Sequence, residues 1–259
     1  MRAFGAAVLF WLTGLIFVRE KVQKKDLKRL FLLAIFGVCI NQMLFLKGLD
    51  MTSSINAAIM MITTPILVLI LAALVIKEKI TVLKLAGILL GFLGAGMLMY
   101  SANHAKGGQS DALGDLFILL NATSWGLYLV LVKPMMLKYH TITILKWVFL
   151  FGSFLVLPFG IMEVKATDFS SFAWEAWRDI GFIIIGTTFV AYLLNTYALK
   201  ALSPSVVSAY IYLQPILTAA LALYLGKDQL DVFKVLSALC IFTGVYLVSV
   251  NRNSHQKSS

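Results

Sequence analysis

Charged side chains are scarce in this chain. Lysine, arginine, aspartate and glutamate make up 13% of its 259 residues, and hydrophobic types make up 60%. A soluble domain has about 25% charged and about 45–50% apolar residues. So few charges cannot cover a surface that faces water. The mean hydropathy of +0.90 therefore indicates a protein whose solvent is the lipid bilayer.

Cysteine and histidine are rarer still. Cys39 and Cys240 lie in apolar runs without metal-ligand spacing, and the three histidines, His104, His140 and His255, lie between the runs or in the tail. The apolar runs contain no H-E-x-x-H motif, no paired aspartates and no serine–histidine pair, which are the groups that an intramembrane enzyme needs. We predict no metal site, no cofactor and no enzymatic activity.

The formal net charge is +10. In a soluble protein such a charge would suggest nucleic-acid binding. Here the lysines and arginines lie in short breaks between apolar runs, where they act as topology signals instead. We expect the lipid bilayer as a partner and no nucleic acid.

Nine apolar stretches are long enough to cross a bilayer, which takes about 20 residues in a helix. Because the runs are continuous rather than alternating, they predict helices and not barrel strands. The predicted fold class is all-α, a polytopic membrane helix bundle with nine transmembrane helices. The stretches are 1–18, 30–46, 53–76, 82–100, 113–135, 141–162, 180–198, 205–225 and 232–250.

The charges of the breaks predict an orientation. Fifteen lysines and arginines lie on the side of the C-terminal tail and six on the other side. Since positively charged breaks face the cytoplasm, we expect a multi-pass protein of the plasma (inner) membrane with a cytoplasmic C-terminus.

The second half of the chain repeats the first at an offset of 150 residues. Between 53–100 and 203–250, 12 of the 48 aligned pairs are identical, Pro65 with Pro215 and Gly94 with Gly244 among them. The equivalent breaks 77–84 and 227–234 fall on opposite sides of the predicted membrane, so the copies are inverted. Inverted repeats are characteristic of secondary transporters, whose site lies near the midplane between the copies. A duplication that only builds a stable bundle is the alternative.

The first copy is one helix short, because 113–135 has no counterpart in the first half. We expect that the chain starts late, as a fragment or from an internal start codon. The expected organisation is a 4 + 5 arrangement of helices: a first repeat over 1–100 that lacks its first helix, a linker over 101–112, a second repeat over 113–250 and a cytoplasmic tail over 251–259.

Neutral polar and aromatic side chains interrupt the apolar stretches, whereas no aspartate or glutamate lies well inside any of them. Amides can bind the polar head of a solute and aromatic rings its apolar body. Asn121, Trp125 and Tyr128 share one helix face. Hydrogen bonding between helices and, for tryptophan and tyrosine, an interfacial belt are the alternatives. The candidate substrate-binding residues are Asn41, Gln42, Thr64, Asn121, Ser124, Trp125, Tyr128, Tyr192, Asn195, Tyr210 and Gln214.

Two further patterns concern backbone geometry. Pro65 and Pro215 are equivalent mid-stretch prolines that predict a kink in each copy, either a hinge or a static bend. Gly87, Gly91 and Gly94 recur at i, i+4 and i+7, which predicts close packing between helices.

Several short motifs carry a family resemblance. Residues 114–128 read G-D-L-F-I-L-L-N-A-T-S-W-G-L-Y, and 197–200 read Y-A-L-K, followed by S-P-S-V-V-S and Q-P-I-L. The first half has T-P-I-L and L-A-G-I-L-L-G-F-L-G-A-G. Over nearly the whole chain this resembles the EamA-type branch of the drug/metabolite transporter superfamily. The resemblance implies ten helices in two inverted five-helix halves and transport of small metabolites. The missing first helix of the first half departs from this pattern.

Repeat, polar residues and resemblance together predict a secondary transporter. It would move a small organic metabolite (an amino acid, a derivative or a drug-like solute) by alternating access between the inverted repeats. A non-transporting membrane scaffold or assembly protein and an inactive truncated transporter are the alternatives. The oligomeric state is left open between a monomer and a homodimer.

Overall fold

The computed structural model describes residues 1–103, 111–226 and 231–250, and every regular element within these ranges is helical. Most of the predicted linker and the whole predicted tail lie outside the described residues. Within these ranges nine long helices follow one another, and five of them, α2, α3, α5, α7 and α8, are built from shorter segments. They are α1 (Arg2–Phe17), α2 (Lys24–Met51), α3 (Ser54–Met61 with Thr64–Ile76), α4 (Val82–Asn103), α5 (Ala112–Leu137), α6 (Thr141–Ala166), α7 (Trp174–Ala198), α8 (Pro204–Tyr224) and α9 (Val232–Val250).

Each predicted apolar stretch coincides with one of these helices. Eight of them have the length and hydropathy of a membrane-spanning helix, and α1 is an apolar helix of 16 residues. The predicted all-α membrane bundle is confirmed. Helices prevail because an α-helix satisfies its backbone hydrogen bonds within one segment, as a bilayer requires.

The helix ends follow from local sequence. The Ser53 hydroxyl accepts a hydrogen bond from the Asn56 backbone N–H at 3.1 Å, which caps the start of α3. His140 Nδ1 accepts from the Ile142 N–H at the start of α6. Lys77, with a φ of 55°, ends α3 in the left-handed conformation, and Gly226, with a φ of 66°, does the same after α8.

The helices form two compact units. Unit 1 comprises Met1–Met43 and Leu131–Ala201, and unit 2 comprises Leu44–Val130 and Leu202–Ser259. The boundaries fall within α2 and α5, so each unit contains helices from both halves of the sequence.

Aromatic rings hold unit 1 together. Helix α1 packs against α6 and against the middle of α7, and α2 packs against α6. Phe10 lies between two rings, 5.1 Å from that of Phe149 and 4.5 Å from that of Phe189. Phe149 in turn meets Tyr192 edge-on at 4.8 Å. In lipid, where burial of apolar surface drives little association between helices, such packing contacts decide which faces meet.

Glycines hold unit 2 together at the crossing of α4 and α9. A Cβ atom on Gly87 would lie 2.6 Å from the Gly244 carbonyl oxygen, and one on Gly94 would lie 2.8 Å from the Ser237 carbonyl oxygen. The ring of Tyr212 occupies the space beside Gly91. The predicted packing role of these glycines matches this geometry, because only a residue without a side chain lets the two backbones approach so closely.

The regular helical pattern is interrupted at repeat-equivalent places. Ile35–Ile40 in α2 and Ile183–Val190 in α7 are π-helical, and the residues 150 positions after Ile35 and Ile40 fall within the second of these segments. Helices α3 and α8 are both interrupted just before their prolines, at Ile62 and Thr63 and at the 3₁₀ turn Tyr210–Tyr212. The correspondence between the two halves thus extends to backbone irregularities.

We expect Gly87→Ala to destabilise the protein, because the new Cβ would overlap the Gly244 carbonyl oxygen. Overpacking of this kind costs about 1–3 kcal/mol. Gly96→Ala on the same helix is the matched control, since nothing lies within 4 Å of its added Cβ. Melting of the purified protein in detergent should fall for Gly87→Ala and stay level or rise for Gly96→Ala. Equal melting temperatures would contradict the crossing as described.

Candidate functional site

The candidate residues of unit 1 gather at the two π-helical segments. A π turn displaces carbonyl groups from the regular hydrogen-bond ladder and is frequent at functional sites. The Tyr192 hydroxyl, just after the second segment, donates to the Gly37 carbonyl oxygen in the first segment at 2.6 Å. The same hydroxyl lies 3.4 Å from Asn41 Oδ1. One tyrosine thereby links the irregular parts of α2 and α7.

Gln42 occupies the repeat position equivalent to Tyr192, 150 residues earlier. Its side chain is only 5% exposed, and its Nε2 finds no hydrogen-bond partner within the described residues. Asn195 is half-buried, and its Nδ2 donates to the Ala191 carbonyl oxygen of its own helix at 2.8 Å. The structure thus brings Asn41 and Tyr192 together and leaves Gln42 with unused donor capacity.

A further polar contact in unit 1 joins α1 to the second π segment. Arg2 Nε donates to the Thr188 hydroxyl at 2.8 Å, and that hydroxyl donates to the Ile183 carbonyl oxygen at 2.8 Å. Thr188 is fully buried. Arg2 is a functional candidate that the sequence interpretation did not select, although a cation at the end of an apolar stretch is a recognisable signal.

The candidates on α5 lie in unit 2 and are nearly all buried. Asn121, Ser124 and Tyr128 are 3% exposed or less. The rings of Trp125 and Tyr128 stack with centroids 5.2 Å apart. Gly126 lies on the opposite side of α5 from this stripe and faces Val68 of α3. The stripe residues thus lie on one helix with two of their rings in contact, and their role in substrate binding stays a prediction.

The remaining candidates lie on α3 and α8 and differ in their exposure. The Thr64 hydroxyl donates to the Met61 carbonyl oxygen at 2.6 Å, across the interruption that precedes Pro65. Thr64 and Pro65 are buried, whereas Tyr210 and Gln214 on α8 are exposed and Pro215 is half-buried. The substrate-binding role of Thr64, Tyr210 and Gln214 remains a prediction.

The sequence interpretation did not predict that two ionisable residues, Lys146 and Asp26, are buried. Lys146 is one of the fifteen lysines and arginines that the sequence interpretation assigned to the breaks on the side of the C-terminal tail, but it lies in the second turn of α6 and is 9% exposed. Its Nζ lies 5.3 Å from the centre of the Trp11 ring. Asp26, in the first turn of α2, is 3% exposed. The burial of each depends on which helix packs against it, and hydropathy along the chain does not show that.

Asp26 anchors a polar network at one end of unit 1. Its carboxylate accepts from Lys138 Nζ at 2.5 Å and from the Tyr139 hydroxyl at 2.7 Å. The Glu20 carboxylate accepts from the His140 backbone N–H at 2.9 Å. Partial desolvation lowers the pKa of the His140 side chain, nearby Lys200 lowers it further, and Glu20 opposes both. This network ties the segment before α2 to the segment before α6.

Comparisons with known proteins agree with the fold. A solved crystal structure aligns over 96% of this chain and 86% of its own with a TM-score of 0.78 at 16% sequence identity, which shows a shared fold. An uncharacterized transporter of Archaeoglobus fulgidus is 27% identical over 95% of this chain and 83% of its own length. The uncharacterized transporter YyaM of Bacillus subtilis is 26% identical over 95% of this chain and 82% of its own length. A WAT1-related protein of Arabidopsis thaliana is 26% identical over 89% of this chain and 67% of its own length.

The model of the EamA-like transporter family matches residues 1–100 and 112–250. The resemblance found in the sequence motifs is thereby confirmed. This chain, a multi-pass membrane protein, belongs to the EamA-like transporter family.

Proposed function

We propose that this protein moves a small organic metabolite across the inner membrane by alternating access between two inverted repeats. The repeats extend over 1–100 and 113–250, as the sequence alignment of the two halves predicts. The observation that carries the proposal is the hydrogen bond from the Tyr192 hydroxyl, just after the π-helical segment of α7, to the Gly37 carbonyl oxygen within the π-helical segment of the repeat-equivalent helix α2.

Irregular backbone supports a transport role for physical reasons. Within a membrane, non-helical hydrogen bonding is tolerated only where it is buried in protein or lines a water-filled cavity. Transporters built from inverted repeats place discontinuous helices at their binding sites, where the freed backbone groups meet substrate or coupling ion. In this chain α2 and α7, and likewise α3 and α8, are irregular at equivalent positions.

The candidate residues suit a solute with a polar head and an apolar body. The buried amide nitrogen of Gln42 has no hydrogen-bond partner among the described residues, and Trp125 and Tyr128 offer stacked rings. Amides orient a polar group by hydrogen bonding, and aromatic side chains bind apolar surface. We propose each of the eleven candidate residues as a residue that lines the solute pathway.

A flux assay tests the transport proposal. Purified protein in liposomes loaded with a metabolite mixture should release at least one solute saturably and faster than empty liposomes do. Tyr192→Phe removes the bond to Gly37 and should lower that rate several-fold, since loss of a buried hydrogen bond costs about 1–3 kcal/mol. Tyr224→Phe, at a residue that is 87% exposed, is the matched control and should leave the rate unchanged. Folded protein that releases no solute would favour a scaffold role.

Pro65 and Pro215 are proposed as hinges. Each lies in the first turn after an interruption of its helix, where a missing backbone N–H prevents the helix from closing over the break. Replacing both prolines with alanine should regularise α3 and α8 and slow transport while ligand binding is retained. The check is a comparison of flux with equilibrium binding for the same solute, and an unchanged flux would show that the kinks are static.

We propose that the C-terminus faces the cytoplasm. Lys146 lies inside α6, so it no longer counts as a break residue, but the excess of positive charge on the side of the tail remains large. In a variant without Cys39 and Cys240, a membrane-impermeant maleimide should label Lys21→Cys only after the cells are permeabilised. It should label Ser171→Cys in intact cells. The opposite pattern would reverse the orientation.

A further inference from the structure

Lys146 is a buried cation in unit 1 with an unusual position. Its side chain crosses α1 at Gly14, where an added Cβ would lie 3.2 Å from Lys146 Cδ. The missing side chain at Gly14 thus makes room for the aliphatic part of the lysine. The Nζ atom then lies over the Trp11 ring, at 5.3 Å from its centre. Such a cation–π contact stabilises a charge without neutralising it.

No carboxylate neutralises Lys146 within the part of the chain that the structure describes. The ion pairs found there within 4.0 Å join other residues: Lys84 with Glu78, Lys138 with Asp26, Arg178 with Asp179 and Lys234 with Asp231. Ionisable residues within membrane helices usually pair with one another or mark the path of a substrate or ion. A buried lysine without a counter-charge therefore needs a negative group from elsewhere.

Two neutral donors on α1 and α6 also lack partners among the described residues. Thr143, one turn earlier on the same face of α6, is fully buried, and its hydroxyl has no hydrogen-bond partner among the described residues. The Trp11 Nε1 atom, in the ring that Lys146 contacts, is likewise buried without a partner there. The packed helices α1 and α6 thus carry one charged donor and two buried neutral donors without an acceptor among the described residues, a set that suits an anion because an unsatisfied buried donor costs free energy.

An apolar groove continues from this site. It has a volume of about 280 Å³ and runs between α1 and α6. Leu150, Ser153 and Leu157 continue the face of α6 on which Lys146 lies, and Trp11 belongs to both the groove and the cation site. The lining residues are Phe4, Ala7, Val8, Trp11, Leu12, Leu15, Leu150, Ser153, Phe154 and Leu157.

We infer that Lys146, Thr143 and Trp11 bind the carboxylate of an amphiphilic monoanion whose apolar body occupies the groove between α1 and α6. One lysine matches one negative charge, whereas a dianion would leave a charge uncompensated at low dielectric. Because Lys146 is only 9% exposed, a small carboxylate reaches it more readily than the bulky headgroup of a phospholipid. This anion would be the substrate of the transport function proposed above, and its assignment as a substrate rests on that proposal.

Octanoate tests this site, with octanol and octanamide as uncharged probes of similar length. Octanoate should raise the melting temperature of the purified protein in phosphatidylcholine nanodiscs saturably, because it binds the folded state. Octanol and octanamide should have little effect. Lys146→Met should weaken octanoate binding at least tenfold, and Lys146→Arg should restore most of it. Lys21→Met, which removes an exposed charge, is the matched control and should bind as the native protein does.

Thr143→Val keeps the shape of the side chain and removes the hydroxyl, so it tests the site even if Lys146→Met does not fold. It should weaken octanoate binding several-fold. Equal stabilisation by octanol and octanoate, or equal octanoate binding by native protein and both variants, would overturn the inference and leave Lys146 as a packing residue.

Two further outcomes separate this inference from its alternatives. If nanodiscs of phosphatidylglycerol abolish octanoate binding and stabilise the protein only when Lys146 is present, the anion is a lipid and the carboxylate assignment is wrong. Octanoate binding without flux of any solute would contradict the transport proposal while supporting the site. Flux without Lys146-dependent carboxylate binding would overturn this inference alone.

Discussion

The bilayer offers no hydrogen bonds to a polypeptide backbone, and the architecture follows from that constraint. Every regular element of the described residues is a helix because a helix pairs its own N–H and C=O groups. A departure from regular helical hydrogen bonding is therefore costly, and another group of the protein must pair with the freed backbone group. In unit 1 the π-helical turns displace carbonyl groups, and the Tyr192 hydroxyl takes up the one at Gly37. In unit 2 the Thr64 hydroxyl bonds to the Met61 carbonyl oxygen where the helix is interrupted before Pro65. These departures recur at equivalent places in the two halves of the chain.

Packing between the helices relies on shape, because lipid chains are as apolar as the helix faces. The two units solve this differently. Unit 1 interlocks aromatic rings around Phe10 and Phe149. Unit 2 brings the backbones of α4 and α9 together at Gly87 and Gly244, and the missing side chain of Gly91 leaves space for the Tyr212 ring. Each unit thereby combines helices from both halves of the chain, so neither half forms a compact body by itself.

The charges of unit 1 show two different uses of a buried ionisable group. Asp26 has a cation and a hydroxyl as direct partners, which stabilises one arrangement of the segments before α2 and α6. Lys146 has an aromatic ring and no carboxylate among the described residues. The first arrangement is complete in itself, whereas the second has capacity for a negative ligand. This contrast, rather than the burial of either residue alone, is the reason to regard Lys146 as a binding residue.

The amino-acid sequence by itself determined the membrane class, the helices, the 150-residue repeat and the family, because long apolar runs and short motifs carry that information locally. It also identified the α5 stripe and the packing glycines, which depend on spacing within one helix. Only the tertiary structure decided that the Tyr192 hydroxyl bonds to the Gly37 carbonyl oxygen and that Lys146 lies beside Trp11. It also decided that Thr64 is buried whereas Gln214 is exposed. The physical reason is that these helices are apolar on nearly all faces. Hydropathy then does not distinguish the face that meets lipid from the face that meets protein, and only contacts between distant segments decide which polar groups come together.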